Sequence, residues 1–279
     1  MIKLVALDLD RTTLNSQARL SSGNRKALVD AAHNGVHICI ASGRCFDSLP
    51  EDVLAVKEIE YAITGNGAAV YYIPEKKRIH SFALPVGAAD CVMDLVEKMA
   101  PDIPHAFETF VDGVAYAWAE YVENPVGYGT TQTAIPYVKR TRTPVKDFRG
   151  FVKAHDGNLD GLDLVISNEQ MKQKIYDQIK KEEIPVYLTS SVKQLLEMSN
   201  PEAGKHSGLK VLMDVLNVKQ EEIAAFGDAD NDIDMLKFAG TGIAMANASE
   251  KALAVADEVT VHHDNDGVAY GLKNILHVI

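Results

Sequence analysis

Four polar clusters in this sequence stand where apolar runs stop, and their residue types suit chemistry on a phosphate group. The first is Asp8-Leu9-Asp10-Arg11-Thr12, at the end of the run that starts at Lys3. In extended backbone alternate side chains share a side, so Asp8 and Asp10 can face one cavity. Two such carboxylates repel unless a cation or a shared proton intervenes. The second is Ser42-Gly43-Arg44, where a hydroxyl, a small residue and exposed amides suit an oxyanion. The third is Lys205, a cation at a helix start, where the dipole disfavours it. The fourth is Gly227-Asp228-Ala229-Asp230-Asn231-Asp232-Ile233-Asp234, four acids and an amide directly after an apolar strand. An EF-hand loop wants Gly at its sixth position and Glu at its twelfth, and Ile233 and Ala239 stand there. Hard oxygen ligands with a phosphate nearby favour magnesium.

The elements that must hold these clusters alternate in type. Residues 3–9, 36–41, 61–64, 223–226, 243–246 and 259–261 read as strands. The stretches 23–33, 207–216, 232–238, 250–255 and 268–276 read as helices, with Ser22 as a candidate N-cap and Asn34-Gly35 as a stop. Strand–helix repetition predicts a doubly wound parallel sheet, an α/β fold of the Rossmann kind, which binds ligands beyond the carboxyl ends of its strands. Asn66-Gly67 turns the chain into a strand over 68–73, with 79–84 as its partner across Pro74 to Lys77. The character changes near Pro85. Residues 86–99 read as a helix, and 105–110 with 114–119 as an antiparallel pair joined at Asp112-Gly113, in which Tyr116 and Trp118 share one face. A strand over 162–166, a helix over 169–181 and strands over 186–189 and 194–198 follow. The stretch from about 121 to 160, rich in proline and glycine, gives no clear pattern. The expected organisation is a core in two parts, 1–84 and 197–279, with an inserted α/β domain over 85–196.

The ordered set Asp8-x-Asp10-x-Thr12, Ser42, Lys205 and Gly227-Asp228-x-x-Asn231-Asp232 resembles the haloacid dehalogenase superfamily of phosphohydrolases. Ala41-Ser42-Gly43-Arg44, Asn66-Gly67-Ala68 and Asp266-Gly267-Val268-Ala269 are further similar to its Cof-type sugar-phosphate phosphatases, and the insert looks like the larger cap type. The resemblance implies a magnesium-dependent phosphatase of small phosphorylated metabolites. Asp8 would be the nucleophile and Asp10 the general acid and base. Magnesium would be bound by the Asp8 carboxylate, the Asp10 carbonyl and Asp228. Ser42 and Lys205 would hold phosphate oxygens with Asn231 assisting, and the Ser42-Gly43-Arg44 turn would contact the phosphate. Asp232 would act through its neighbours. A phosphomutase of the same superfamily, or a sugar-phosphate-binding regulator with little turnover, are the rival readings. The sequence departs from the family pattern at Arg11 and His206, where glycine is usual, and at Thr13-Leu14. Arg11 either narrows the entrance, adds a cation for the substrate, or points outward.

The composition bounds the partners. Lys and Arg total 28 against 39 Asp and Glu, a net charge of −11, which argues against a nucleic-acid binder and means an anionic substrate needs a local cation. No apolar run reaches the roughly 18 residues of a membrane span. The three cysteines Cys39, Cys45 and Cys91 have no metal spacing and, with the strand-like start at Met1, lead to the expectation of a cytoplasmic protein. Lys139, Arg140, Arg142, Lys146, Arg149 and Lys153 form a basic cluster, either a solvated face or a surface that attracts anions.

Overall fold

The computed structural model describes residues 1–190 and 192–279. Its strands, in chain order, are β1 (Leu4–Leu7), β2 (His37–Ala41), β3 (Ile59–Thr64), β4 (Ala69–Tyr72), β5 (Lys77–Ser81), β6 (His105–Val111), β7 (Val114–Trp118), β8 (Arg142–Val145), β9 (Gly161–Ile166), β10 (Tyr187–Thr189), β11 (Leu195–Ser199), β12 (Ile223–Gly227), β13 (Thr241–Ala244) and β14 (Glu258–Val259). The chain divides into two compact units. One holds residues 1–44, 49–80 and 203–279; the other holds 45–48 and 81–202.

The first unit is built on a sheet of order β14-β13-β12-β1-β2-β3-β4-β5. β14 through β3 run parallel, and β4 turns back antiparallel to β3. The central strands β1 and β12 are buried along their whole length, as parallel strands covered on both faces must be. Ser21 caps the helix Ser22–His33, its Oγ accepting from the Asn24 N–H at 3.0 Å. The cap is thus one residue earlier than Ser22, and Gly35 at φ +84° follows the helix as read. The 3₁₀ turn Ile73–Glu75 with left-handed Lys76 shortens the expected hairpin, so β5 starts at Lys77 and ends at Ser81. Leu84 is no strand partner: its N–H donates to the Leu159 carbonyl at 2.7 Å within the second unit.

The second unit has a sheet of order β10-β11-β9-β6-β7-β8, antiparallel except where β8 joins β7 in parallel. The helices Ala88–Met99, Phe148–Ala154 and Glu169–Lys181 bury one face with Phe107, Leu162, Leu164, Ile175 and Ile179, and Tyr116 and Trp118 pack there. The stretch 121–160 resolves into short pieces, with helices Ala119–Glu123 and Ile135–Thr141, strand β8 and helix Phe148–Ala154. Its prolines obey position rules. Pro125 and Pro136 open helical turns, and Pro144 sits in the edge strand β8, where a missing N–H is tolerated.

The basic cluster is not one surface. Arg142 is buried and donates from Nε and Nη2 to Glu108 at 2.8 and 2.6 Å. Arg149 pairs with Asp90, Asp94 and Glu97, and Lys153 with Asp90. Arg142, Arg149 and Lys153 thus stand against carboxylates rather than forming one open basic face.

Glu108 belongs to a row of acids. Asp163 lies opposite Glu108 on one neighbouring strand and opposite Glu197 on the other, and all three are buried. Burial, with Glu197 and Glu108 beside it, pushes the Asp163 carboxyl well above its ordinary value, against the pull of Arg142. A raised folded value means that stability from this group is full below the ordinary Asp range, near 4, and is lost as pH rises through the folded value. Asp163→Asn should therefore melt higher than the parent at pH 8, with the gap shrinking toward pH 4. Each kcal/mol is read as about 2–4 °C in a chain of this size. Thermal melts across that range check it; a gap independent of pH would contradict the assignment.

Candidate active site

The register of the first sheet decides what meets at its carboxyl edge. Leu7 of β1 pairs with Phe226 of β12 and with Ile40 of β2, so Asp8, Asp228 and Ser42 emerge near one another. The helix Lys205–Leu216 supplies the cation, packed so closely on β3 that a Cβ on Gly208 would lie 2.5 Å from Ile63. Gly67, at φ +96°, lets the 65–67 turn meet Gly204, whose carbonyl oxygen would sit 2.0 Å from any Cβ there. That contact sets where Lys205 starts its helix.

Lys205 is not solvated; it is 1% exposed. Its Nζ donates to Asp8 Oδ1 and to Asp232 Oδ1, both at 2.6 Å. Burial alone would lower its pKa, but Asp232 and Asp8 together hold it above the ordinary lysine value, so the ammonium stays charged. Asp232 has its other oxygen, Oδ2, accepting from the backbone N–H groups of Asp228 and Ala229 at 2.9 Å each. Both its oxygens are thereby committed to protein donors, and it orients Lys205 and the Asp228 loop.

Asp8 and Asp228 keep more freedom. Asp8 is buried, and burial raises its carboxyl well above the usual range, opposed by Lys205 and reinforced by Asp232 and Asp228. Asp228 accepts from Thr12 Oγ1 at 3.1 Å, and burial and then Asp232 push it up to about 6. One oxygen from each of Asp8, Asp228 and Asp232 lies within 4.8 Å of the others, with one ammonium beside them. With Asp232 committed to protein donors, Asp8 and Asp228 are the carboxylates left to offer hard oxygens, a donor set that fits a divalent cation such as magnesium.

Not every sequence candidate joins this cluster. Asp10 is more than half exposed at its side chain, and Arg44 grips it from Nε to Oδ2 at 2.8 Å and from Nη2 to Oδ1 at 2.6 Å. Arg44 thus holds Asp10, while its backbone N–H donates to Ser42 Oγ at 3.2 Å. Asn231 is buried and donates from Nδ2 to Asn66 Oδ1 at 2.9 Å. Asn66 is read from the sequence as a turn and as part of the Cof-type resemblance, with no role at the site; its backbone is left-handed here, φ +54°.

Arg11 occupies a left-handed position, φ +62° and ψ +14°, between an extended Asp10 and Thr12. The turn is closed by Leu14 N–H donating to the Leu9 carbonyl at 2.9 Å and by Thr13 Oγ1 donating to the Asp8 carbonyl at 2.5 Å. Glycine takes this conformation freely, and any other L-residue there costs about 1–2 kcal/mol. His206 lies beside Phe238, with ring centroids 6.3 Å apart and planes tilted by 54°, and its Nε2 is 3.3 Å from Ser207 Oγ.

Comparison with known proteins identifies the family. The family model for haloacid dehalogenase-like hydrolases matches residues 5–272. The chain belongs to that family. It is 30% identical to Phosphatase YwpJ of Bacillus subtilis, over 99% of this chain and 100% of that protein. It is 26% identical to the 5-amino-6-(5-phospho-D-ribitylamino)uracil phosphatase YcsE of the same organism, over 98% of this chain and 95% of that protein. Among solved structures it resembles BT1666 of Bacteroides thetaiotaomicron, described among phosphatases of this superfamily. The TM-score is 0.80 at 28% identity, covering 100% of this chain and 96% of that one. This haloacid dehalogenase-like hydrolase has, among its described residues, no helix long and apolar enough to cross a membrane.

Proposed function

We propose that the protein is a magnesium-dependent phosphatase that hydrolyses phosphate monoesters of small metabolites, sugar phosphates foremost, through an aspartyl-phosphate. The observation that carries this reading is the Asp8–Lys205–Asp232 chain, with both contacts at 2.6 Å, set against Asp228 at the aligned strand ends. It supplies a buried carboxylate, a fixed ammonium and an adjacent acidic cradle, as phosphoryl transfer to a carboxylate needs.

In the first step an Asp8 oxygen attacks phosphorus, the ester P–O bond breaks, and the leaving alkoxide takes a proton from Asp10. In the second, water attacks the phosphorus while Asp10 takes its proton, and the bond to the Asp8 oxygen breaks to release phosphate. Asp8, the Asp10 carbonyl and Asp228 are the residues that would hold magnesium, which when bound offsets charge on both the nucleophile and the phosphate. Lys205 and Ser42 would take the non-bridging oxygens, and Asn231 would assist them. Asp232 keeps Lys205 aimed. Arg44 donates one hydrogen bond to each Asp10 oxygen, which fixes the carboxyl's orientation and leaves each oxygen a further lone pair for a proton. The Bacillus relative that acts on a phosphoribitylamino compound supports a polyol or sugar phosphate as substrate class.

The test is a phosphate-release screen over sugar phosphates, nucleotides and cofactor phosphates, with magnesium and with a chelator. Release that needs magnesium supports the reading. A product that keeps its phosphate would indicate a mutase, and tight binding without turnover a regulator. Asp10→Asn should slow sugar-phosphate turnover roughly 10²–10⁴-fold but an aryl phosphate less, because a good leaving group needs little protonation. Steady-state rates on both esters check this, and equal losses in the first half-reaction would count against the acid role.

A further inference from the structure

We propose that Arg11 makes this enzyme select phosphate esters that carry a second anionic group, a carboxylate or another phosphate, beside the scissile one. This deepens the phosphatase reading and rests on it for the place of the scissile phosphate. Three observations within the first unit carry it.

The first is charge. Of the three cations described around the site, Lys205 is held between Asp8 and Asp232, and the Arg44 fork is filled by Asp10. Arg11 is differently placed. Its Nη2 donates to the Asn247 carbonyl at 3.2 Å and its Nε stands 3.6 Å from Asp228 Oδ2, beyond hydrogen-bond length. Its side chain is 64% exposed, and its one carboxylate contact, with Asp228, is a loose ion pair rather than a bidentate fork. In a chain of net charge −11, an anionic group arriving here needs such a cation.

The second is placement. Arg11 follows Asp10 directly, and its Nε stands 3.6 Å from Asp228, one of the acids of the cradle. A planar guanidinium binds carboxylate or phosphate oxygens in pairs, which a lysine or a hydroxyl does not reproduce. The third is bracing. Asn247 Nδ2 donates back to the Arg11 carbonyl at 2.9 Å, and Asn247 Oδ1 accepts from His263 N–H at 3.1 Å. The left-handed backbone that glycine would take freely is thus held for an arginine by two other loops. Such an over-determined outlier is the usual setting of a functional side chain.

The experiment measures kcat and KM with magnesium for matched esters: 3-phosphoglycerate against glycerol 3-phosphate, and fructose 1,6-bisphosphate against fructose 6-phosphate. The first pair reports on a carboxylate and the second on a phosphate. The parent protein should favour the member with the extra anion by roughly tenfold or more in kcat/KM, mostly through KM. Arg11→Asn, which tolerates the left-handed backbone, should bring the ratio near one, and Arg11→Lys should keep part of it. Arg11→Gly, free of backbone strain, guards against a folding defect. A parent ratio near one in both pairs, or a ratio unchanged in Arg11→Asn and Arg11→Gly, would overturn the proposal. If no ester releases phosphate, the phosphatase reading fails instead. Calorimetric binding of the same pairs to the Arg11 and Arg11→Asn proteins then still decides whether Arg11 recognises the second anion.

Discussion

Asp8→Asn should abolish phosphate release while the protein keeps its fold. The side chains are nearly the same size, but an amide cannot form an acyl phosphate. It also removes one carboxylate from the three that lie together there. Losing a nucleophile costs enzymes on the order of 10⁴-fold or more in rate, so activity should fall to background. Stability should not follow. Burial already raises Asp8, so the neutral amide suits its surroundings, and Lys205 retains Asp232 at 2.6 Å. Rapid quenching with mass analysis should find a phosphoryl adduct on Asp8 in the parent and none in the variant. Appreciable turnover by pure, folded Asp8→Asn protein would remove Asp8 from the nucleophile's place.

This site was legible in the sequence because its residues follow buried strands. An apolar run such as Leu4–Leu7 or Ile223–Phe226 fixes its own burial, and what comes next must stand at the sheet's edge. Asp8 and Asp228 could therefore be placed from local pattern alone. The partner of a side chain could not. Whether Arg44 reaches a phosphate or Asp10 depends on rotamers and on a neighbouring strand 34 residues away in sequence. Lys205 stood out only as a cation at a helix start, where the dipole disfavours it, and the approach of Asp8 and Asp232 explains its burial.

The second unit was harder for a related reason. Between residues 121 and 160 the helices are five to seven residues long, and such pieces are too short to display a period. Their order comes from packing, as when Tyr121 and Val138 cover Ala106, Ala117 and Val165 of the sheet. Arg142 misled for the same reason. It stands in a run of basic residues, yet it is the buried partner of Glu108.

Lys205→Met should damage both stability and turnover, and the pH dependence of the damage separates its causes. Methionine fills much the same space, so the change removes a charge rather than opening a cavity. At neutral pH it leaves Asp8 and Asp232 buried without their ammonium. Breaking a buried pair by removing one partner costs about 3–5 kcal/mol. In a chain of this size that lowers the melting midpoint by the order of 10 °C. The same change on the exposed Lys237 should move it far less. Acidification should narrow the gap. Burial already raises the Asp8 carboxyl, so as pH falls it is neutralised in the variant and its share of the cost disappears, while the parent's buried ammonium loses that counter-ion. On the proposed mechanism turnover should be lost at every pH, since Lys205 is the cation assigned to Asp8 and to the phosphate oxygens. Lys205→Arg keeps the charge but must fit a branched fork where the lysine is already fully enclosed, so it should restore stability only in part and activity hardly at all. If Lys205→Met melts like Lys237→Met at pH 7.5, the buried pair does not exist in solution, and the site must be rebuilt around Asp8 without it.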